Sequence, residues 1–323
     1  MYDLVTIGDS TVDMFLLIDE ATLNCDIKTN ECQLCFTYAD KIPINGAIQA
    51  IGGNAANVAA GGAKLGLKTA IVTEVGEDIN GLLINDDLTK MGVNTNLVHI
   101  NKGKETRYSV VLSYKGERTI LSYHAPRTYQ KPKLPTTKAI YYTSLGKTFE
   151  RIQDEVIAYK KKHKTVILAC NPGSHQFGQG IQKTRQILPF TDILFVNKEE
   201  AEKITQSKGT VQELIALLHT KGVRIVVVTD GSRGSYVSNG ESLYHMPRFP
   251  VKTLSRTGAG DAYASGFISA HLSGHSIPQA MSWGTANASG VVQQFGGHTG
   301  TLTKKQIATI LKKYSSIKPK LLV

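Results

Sequence analysis

One stretch of the chain combines a glycine turn with an acidic residue at the start of a predicted helix. It reads SRTGAGDAYASGF over residues 255–267. Gly258 and Gly260 permit a tight turn, and the backbone amides of 258–261 then open the helix, where free amides and the helix dipole favour an anion. Asp261 lies beside these amides and can accept a proton. An anion-binding turn next to a general base is what phosphoryl transfer to a hydroxyl group requires.

These glycine-rich segments also have other interpretations. Asp261 taken alone is equally typical of a helix N-cap, since aspartate commonly caps a helix after a glycine turn. The run GAGDAY lacks the third glycine of the dinucleotide-binding fingerprint. The run 146–148 (Gly-Lys-Thr) follows a predicted strand, as a P-loop does, but Tyr141 stands where that motif needs its first glycine. A dinucleotide site and a P-loop are therefore not expected.

Apolar runs that alternate with helical stretches dominate the chain after residue 137. Such alternation predicts right-handed βαβ units and a mainly parallel sheet with both faces covered by helices. Ligands bind beyond the carboxyl ends of the strands in sheets of this kind. The polar and glycine residues that follow the apolar runs are Asp9, Asp13, Asn171, Asn197, Glu200, Thr229, Asp230 and Gly231, in addition to 258–261.

Two segments interrupt this pattern. Residues 105–124 alternate apolar and polar side chains on either side of Lys115-Gly116, which is typical of a β-hairpin. Residues 20–50 are polar and irregular. We expect one α/β domain over residues 1–323, with a small β appendage built from the two insertions.

The composition limits the partners of the protein. The net charge is +11, but the basic residues are dispersed, so no nucleic-acid partner is expected. A basic surface also suits an enzyme whose substrates are phosphate anions. No stretch approaches the ~20 apolar residues of a membrane span, and the N-terminus has no basic region before its apolar run. We therefore expect a cytoplasmic protein with no membrane partner.

Three of the four cysteines lie close together. Cys25, Cys32 and Cys35 have the spacing C-x6-C-x2-C, and Cys170 is distant. A zinc site would need a fourth ligand, which is not evident nearby. A disulfide framework is also not expected in a chain without a signal peptide. We expect reduced structural thiols, with zinc as the alternative.

Four motifs resemble those of the ribokinase-like carbohydrate kinases, the phosphofructokinase B family. GGNAANVAAGGAKLG (52–66) and TGAGDAYASGF (257–267) resemble the two signatures of that family. The run 197–200 (NKEE) is similar to its N-x-x-E motif, and VVTDGSRGSYV (227–237) is similar to its nucleotide-binding strand and turn. The motifs occur in the order of the family, and the resemblance covers most of residues 1–300.

The resemblance implies a fold and a set of partners. The fold is a three-layer α/β/α sandwich with a mainly parallel central sheet and a small β-sheet lid. The insertions at about 14–50 and 105–124 fit that lid, which closes over the substrate. The implied cofactors are ATP and Mg²⁺, and the implied partner is a small-molecule sugar or nucleoside. Members of the family also often pair as homodimers through their lid sheets.

The resemblance also implies roles for individual residues. Asp261 is the catalytic base. The anion hole consists of Gly258, Ala259 and Gly260. The residues that hold the substrate hydroxyls are Asp13, Gly52, Gly53 and Asn57. The nucleotide-binding residues are Asn197, Thr229, Gly231 and Asn287. The magnesium ion is organised, through water, by Glu200 and Asn197.

The sequence departs from the family at three positions. Ser255 and Arg256 replace the usual Asp-Thr before the glycine turn, and that aspartate helps build a monovalent-cation site in many members. Weak or no activation by potassium is therefore expected. Arg256 is open to two interpretations, a positive charge beside the phosphates or a surface arginine. Asn54 stands where ribokinase has lysine, so ribose is not assured as the substrate.

These observations predict an ATP-dependent kinase that phosphorylates a hydroxyl group of a ribose- or ketose-like sugar. A nucleoside kinase of the same fold is an alternative, because the predicted lid carries apolar residues such as Phe15 and Leu16. A non-catalytic nucleotide-binding regulator is a second alternative. The presence of both Asp261 and Glu200 argues against a regulator.

Overall fold

A computed structural model describes residues 1–26, 31–178 and 180–322. The strands are β1 Tyr2–Ile7, β2 Thr11–Leu17, β3 Thr22–Asp26, β4 Glu31–Cys35, β5 Gly46–Gly52, β6 Thr69–Gly76, β7 Val98–Asn101, β8 Tyr108–Tyr114, β9 Glu117–Tyr123, β10 Thr137–Tyr142, β11 Ile167–Cys170, β12 Ile193–Asn197, β13 Ile225–Thr229, β14 Ser235–Ser238, β15 Leu243–Met246 and β16 Lys320–Leu321. The α-helices are α1 Asn54–Lys64, α2 Ile79–Lys90, α3 Glu150–Lys162, α4 Ser174–Gly178, α5 Ile181–Arg185, α6 Lys198–Thr205, α7 Val211–His219, α8 Ala259–Leu272, α9 Ile277–Val291 and α10 Lys304–Lys313.

The main sheet is predominantly parallel. Within the described residues it has ten strands in the order β16-β15-β14-β13-β12-β11-β10-β1-β6-β7. Neighbouring strands from β13 to β7 run parallel, whereas β14, β15 and β16 form an antiparallel edge. The parallel strands all end at the same edge of the sheet, so the residues that follow them lie close together.

Helices cover both faces of the main sheet because its central strands are apolar on both sides. Val226 and Val228 of β13 belong to one hydrophobic cluster, which includes residues of α3, α6 and α7. Val227 points to the opposite face and belongs to a second cluster, with residues of α1, α8, α9 and α10. The alternation of side chains along each strand thus produces a three-layer arrangement.

A separate sheet of four strands, among the residues described, has the order β5-β2-β8-β9. Its strands β8 and β9 form the hairpin that the alternation in 105–124 predicted, with Lys115 and Gly116 at the turn. The predicted α/β fold with a mainly parallel central sheet and a small second sheet is confirmed. In the described part of the chain, no helix is both long enough and apolar enough to cross a membrane.

The cysteine prediction was partly wrong. β3 and β4 form a two-stranded antiparallel hairpin in which Cys25 lies directly opposite Cys32, and the two cysteines form a disulfide. Their Cα atoms are 4.0 Å apart because the cross-strand register brings them together. Cys35 and Cys170 are free thiols. The sequence spacing alone did not reveal that the pair shares one register position.

Candidate active site

Two adjoining cavities lie at the carboxyl edge of the main sheet, under the small sheet. The first has a volume of about 590 Å³, and the second of about 430 Å³. Five residues line both, and they mark the junction between the cavities: Arg118, Asn197, Thr229, Arg256 and Gly260. The first cavity is lined by residues that follow or end successive parallel strands, namely Asp9, Ser144, Asn171, Asn197 and Thr229. Asp9, Asn171, Asn197 and Thr229 were expected at this edge from the sequence, because each follows or ends an apolar run.

The N-terminus of α8 faces the junction. Its N-cap is Gly258, with a φ of 76°, and a Cβ at this position would lie 2.1 Å from the carbonyl oxygen of Gly297. Glycine is therefore required for this close turn. Nothing lies within 4 Å of where a Cβ on Gly260 would be, so this part of the turn is open to the cavities. Ala259 lines the second cavity at the first helical position.

Asp261 is not the N-cap of α8. It lies in the first turn, and no side chain caps this N-terminus among the described residues. The buried carboxylate lines the first cavity and accepts a hydrogen bond of 2.8 Å from Nδ2 of Asn57. Burial raises the pKa of Asp261 to about 7, and the charges of Glu200 and Asp13 act in the same direction. A carboxyl group with a pKa near neutrality is well matched to general base catalysis.

The residues predicted to hold the acceptor have different positions. Asp13 and Gly53 line the first cavity, together with Asn57. Gly52 does not appear in either cavity wall. A Cβ on Gly52 would lie 2.0 Å from Oδ2 of Asp13, so this glycine makes room for the carboxylate. Asp13 also accepts a hydrogen bond of 2.9 Å from Oγ1 of Thr11.

Asn197 and Glu200 form a capping box at the start of α6. Oδ1 of Asn197 accepts a 2.8 Å hydrogen bond from the amide of Glu200, and Oε2 of Glu200 accepts a 2.9 Å hydrogen bond from the amide of Asn197. Both residues also line the first cavity. Burial raises the pKa of Glu200 to about 7. The capping role and a role at the cavity are compatible, because the carboxylate has a second oxygen.

The four residues predicted to bind the nucleotide have different positions, and Asn197 lies at the junction of the two cavities. Thr229 and Gly231 line the second cavity, whose wall also has the apolar residues Phe249, Val251 and Val292. Asn287 lies in neither cavity. Its side chain is fully buried, donates to the carbonyl of Ala262 and to Oγ of Ser265, and accepts from the amide of Leu302. Other residues of α9, Thr285, Ala288 and Ser289, line the second cavity, but Asn287 faces α8. Its hydrogen bonds join α9 to α8.

The comparisons with known proteins agree with this arrangement. The model of the pfkB family of carbohydrate kinases matches residues 13–304. The chain belongs to this family. The 5-dehydro-2-deoxygluconokinase of Bacillus subtilis is 26% identical over 285 residues, covering 82% of this chain and 87% of that protein. The nucleoside kinase of Methanocaldococcus jannaschii is 26% identical, covering 84% of this chain and 89% of that protein.

A solved structure is similar in fold. The ribokinase of Arabidopsis thaliana, complexed with ribose and ATP, superposes with a TM-score of 0.77 at 23% identity, covering 96% of this chain and 99% of that one. The protein is thus a carbohydrate kinase of the pfkB family with a ribokinase-like fold. It is a phosphotransferase that acts on an alcohol group of a small molecule.

Sequence reasoning missed a buried network beside the first cavity. Arg107, one residue before β8, forms an ion pair with Asp9, and both side chains are buried. Nη2 of Arg107 donates to the hydroxyl of Tyr129 at 3.0 Å, and that hydroxyl donates to Oδ1 of Asp9 at 2.8 Å. Arg107 and Asp9 line the first cavity. Asp9 was noted because it follows a strand, but no local pattern marked Arg107 or Tyr129.

Two arginines of the kinase lie at the junction of the cavities. Arg256 forms an ion pair of 3.2 Å with Glu117 of the small sheet. It is an exposed arginine that also forms part of both cavity walls. The side chain of Arg118, in β9, forms no hydrogen bond or ion pair within the described residues. Burial lowers its pKa, and the neighbouring Arg256 lowers it further. Nothing in the sequence motifs indicated Arg118.

The raised pKa of Asp261 predicts how its replacement changes stability with pH. The folded state holds this proton more tightly than the unfolded state, so the stability of the native protein falls as pH rises from about 4 to about 7. The asparagine introduced by Asp261→Asn is uncharged and keeps an acceptor for Asn57. We expect this variant to melt at a higher temperature than the native protein at pH 8. The difference in melting temperature between the variant and the native protein, measured by calorimetry, should shrink toward pH 5. An equal difference in melting temperature at both pH values would show that Asp261 is not titrating with a raised pKa.

Proposed function

We propose that this protein is an ATP-dependent kinase that transfers the γ-phosphate to a hydroxyl group of a sugar, with Asp261 as the general base. The observation that carries the proposal is the position of Asp261. Its carboxylate, with a pKa of about 7, lies in the first cavity and in the first turn of α8, whose N-terminus faces the junction of the two cavities. A hydroxyl in the first cavity would then lie between its base and a phosphate group at that junction.

The proposed mechanism divides the work between the carboxylate and the backbone. Asp261 accepts the proton as the acceptor oxygen attacks the γ-phosphorus. The bond to the β–γ bridging oxygen breaks, and ADP leaves. The amides of Gly258, Ala259 and Gly260 form the anion hole for the charge on the transferred phosphoryl group. Arg118 and Arg256 add positive charge at the same junction.

The second cavity is the proposed site of ATP. Thr229 and Gly231 border it, and the apolar side chains of Phe249, Val251 and Val292 suit an adenine ring. Asn197 lies at the junction, where the phosphates would pass from one cavity to the other. In this orientation the phosphates of ATP would lie at the N-terminus of α8, which favours an anion.

The chemistry of the first cavity supports a magnesium ion beside the phosphates. Glu200 supplies one carboxylate, and no cluster of three or more His, Cys, Asp or Glu side chains suited to a metal exists within the described residues. Magnesium typically uses one or two carboxylates, the substrate phosphates and several waters. The residues present therefore fit a water-mediated ion at Glu200 and Asn197. When bound, the ion would neutralise charge on the β- and γ-phosphates.

The lining of the first cavity favours a sugar over a nucleoside as acceptor. Most lining side chains are polar or charged, and the apolar ones are Ile120, Phe195 and Val196. Hydroxyl groups of a sugar can bond to such carboxylates and amides, with Asp13 and Asn57 as the proposed principal contacts. Gly53 lets the acceptor approach the backbone. The nucleobase of a nucleoside would need a broader apolar surface.

The small sheet is proposed to act as a lid over the acceptor. Arg118, Ile120 and Ser122 alternate along β9 and all line the first cavity, so one face of this strand covers it. Closure would exclude water and so suppress hydrolysis of ATP. A homodimer through this sheet remains a prediction.

An acceptor screen tests the proposed class of substrate. The protein, ATP and magnesium are incubated with pentoses, hexoses, sugar phosphates and nucleosides, and ADP release is measured. We expect release to rise above the acceptor-free rate with at least one sugar. Release with nucleosides alone would instead identify a nucleoside kinase. ATP binding without acceptor-dependent release from any compound would indicate a nucleotide-binding regulator.

Asp261→Asn tests the catalytic base. The shape of the side chain is retained, so we expect normal folding and normal ATP affinity. Turnover should fall by ~10²–10⁴, the usual contribution of a general base. In the native enzyme, kcat/KM should rise with pH through about 7 as Asp261 loses its proton. Turnover of the variant within a few-fold of the native enzyme would exclude Asp261 as the base.

Glu200→Gln tests the proposed magnesium contact. Glutamine preserves a capping box, so α6 should remain intact. We expect the magnesium concentration for half-maximal rate to rise by about tenfold, an effect typical of lost supporting contacts to a metal. The acceptor KM should change little. Glu199→Gln is the matched control, because the neighbouring Glu199 is exposed. A raised acceptor KM with unchanged magnesium dependence would remove Glu200 from the metal site.

A further inference from the structure

A chain of hydrogen bonds runs from the surface of α2 to Asp261. Oδ2 of Asp87 is 2.9 Å from Nε2 of His298, and Nδ1 of His298 is 3.1 Å from Oδ1 of Asn57. Nδ2 of Asn57 then donates to Oδ2 of Asp261 at 2.8 Å. His298, Asn57 and Asp261 are all buried, whereas the side chain of Asp87 is 39% exposed. The chain therefore joins a solvent-accessible carboxylate to the proposed base.

The donors and acceptors of this chain are consistent with only one arrangement when Asp261 is ionised. An ionised Asp261 only accepts, so Asn57 must direct its NH₂ group toward Asp261 and its oxygen toward His298. Nδ1 of His298 must then donate to that oxygen. The carboxylate of Asp87 also only accepts, so Nε2 must donate as well. In that arrangement both ring nitrogens of His298 donate, as they do in an imidazolium ion.

A neutral His298 would favour the opposite arrangement. With Nδ1 unprotonated, the Asn57 amide can turn over, donate to His298 and present its oxygen to Asp261. Asp261 would then have to carry a proton to satisfy that oxygen. A protonated Asp261 cannot accept the proton of the acceptor hydroxyl. The charge of His298 is thus coupled to the protonation of Asp261 through the orientation of one amide.

The loop that carries His298 also contacts the anion-binding turn. A Cβ on Gly297 would lie 2.3 Å from Oδ1 of Asn57, and the carbonyl oxygen of Gly297 abuts Gly258. The residue next to His298 is therefore packed against both Asn57 and the N-cap of α8. This packing leaves the Asn57 side chain little room to move, so its amide has two orientations, with the nitrogen toward either Asp261 or His298.

We propose that Asp87 and His298 are positioning residues for Asp261. Asp87 holds His298 as an imidazolium ion, and this ion fixes the orientation of the Asn57 amide and so keeps Asp261 ionised. This proposal rests on the proposed role of Asp261 as the base, and it assigns control of the protonation of Asp261 to two residues outside the cavity. The charged groups that act on His298 are Asp87 from α2 and, at longer range, Asp13 from β2. Asp261 of α8 acts through Asn57.

Titration of Asp87→Asn tests this relay without any acceptor. The carboxyl carbon of Asp261 is followed by NMR in ¹³C-aspartate-labelled full-length protein, with the signal assigned by its loss in Asp261→Asn. We expect the titration midpoint of Asp261 to move up by about one pH unit in Asp87→Asn, because His298 loses the partner that holds its proton. The sign is diagnostic. Removal of a nearby negative charge that acted only through space would move the midpoint down.

Asp86→Asn is the matched control. Asp86 neighbours Asp87 on α2, is exposed, and pairs with Lys90 rather than with His298. We expect the Asp261 midpoint to be unchanged in this variant. An unchanged or lowered midpoint in Asp87→Asn, or an equal rise in both variants, would overturn the relay.

A second measurement observes His298 itself. In ¹⁵N-histidine-labelled protein at pH 7, His298 should show two protonated ring nitrogens, with the assignment made from His298→Ala. A neutral ring would overturn the proposal. Neither measurement uses turnover, so a failed relay remains distinguishable from a failed assignment of Asp261 as the base. Asp87→Asn leaves the cavity walls unchanged, and its melting curve checks that it is folded.

Discussion

The buried carboxylate of Asp261 is the constraint on which the site depends. Within the described residues it forms no ion pair, and its one direct hydrogen bond comes from Asn57. Two further carboxylates, Asp13 and Glu200, add repulsion. An unpaired charge in such a place is costly to the fold. This cost fits the proposed role of Asp261, because a general base must be neither neutralised by a counter-ion nor fully solvated.

The surrounding backbone is arranged to keep that carboxylate in place. Gly258 adopts a left-handed conformation against Gly297, and so starts α8 at the point where Asp261 falls in the first turn. Gly297 in turn packs on Asn57 of α1. Helices from distant parts of the chain thus meet in one tight contact. Asp261, its hydrogen-bond donor Asn57 and the amides at the start of α8 share a single rigid support, which suits the preorganised site of the proposed function.

The sequence predicted what is encoded locally. The strands were visible as apolar runs, and their ends identified Asp9, Asn171 and Asn197, which the structure brings together in the wall of the first cavity. The glycine turn identified the start of α8, which the structure places at Ala259. Features that depend on tertiary register were missed. The pairing of Cys25 with Cys32, for example, requires the register of β3 and β4.

Other misses concern which way a side chain faces. Asn287 was assigned to the nucleotide because its helix was expected there, but a helix has several faces and this residue uses the one against α8. His298 lies in a glycine-rich loop with no pattern of its own, and its importance arises from contacts with α1 and α2. Arg107 is similar, since a basic residue before a hairpin is usually exposed. Its burial depends on Asp9, which is 98 positions away.

The class of reaction and the choice of acceptor are consequently encoded in different ways. In the proposed function the reaction depends on a short contiguous segment, 255–261, so it can be inferred from sequence. In the proposed site the acceptor would meet side chains from β2, β9 and several strand ends, which together line the first cavity. A change at any one of them would alter the fit without disturbing the base. This separation explains how relatives of similar identity carry the names of both a deoxygluconokinase and a nucleoside kinase.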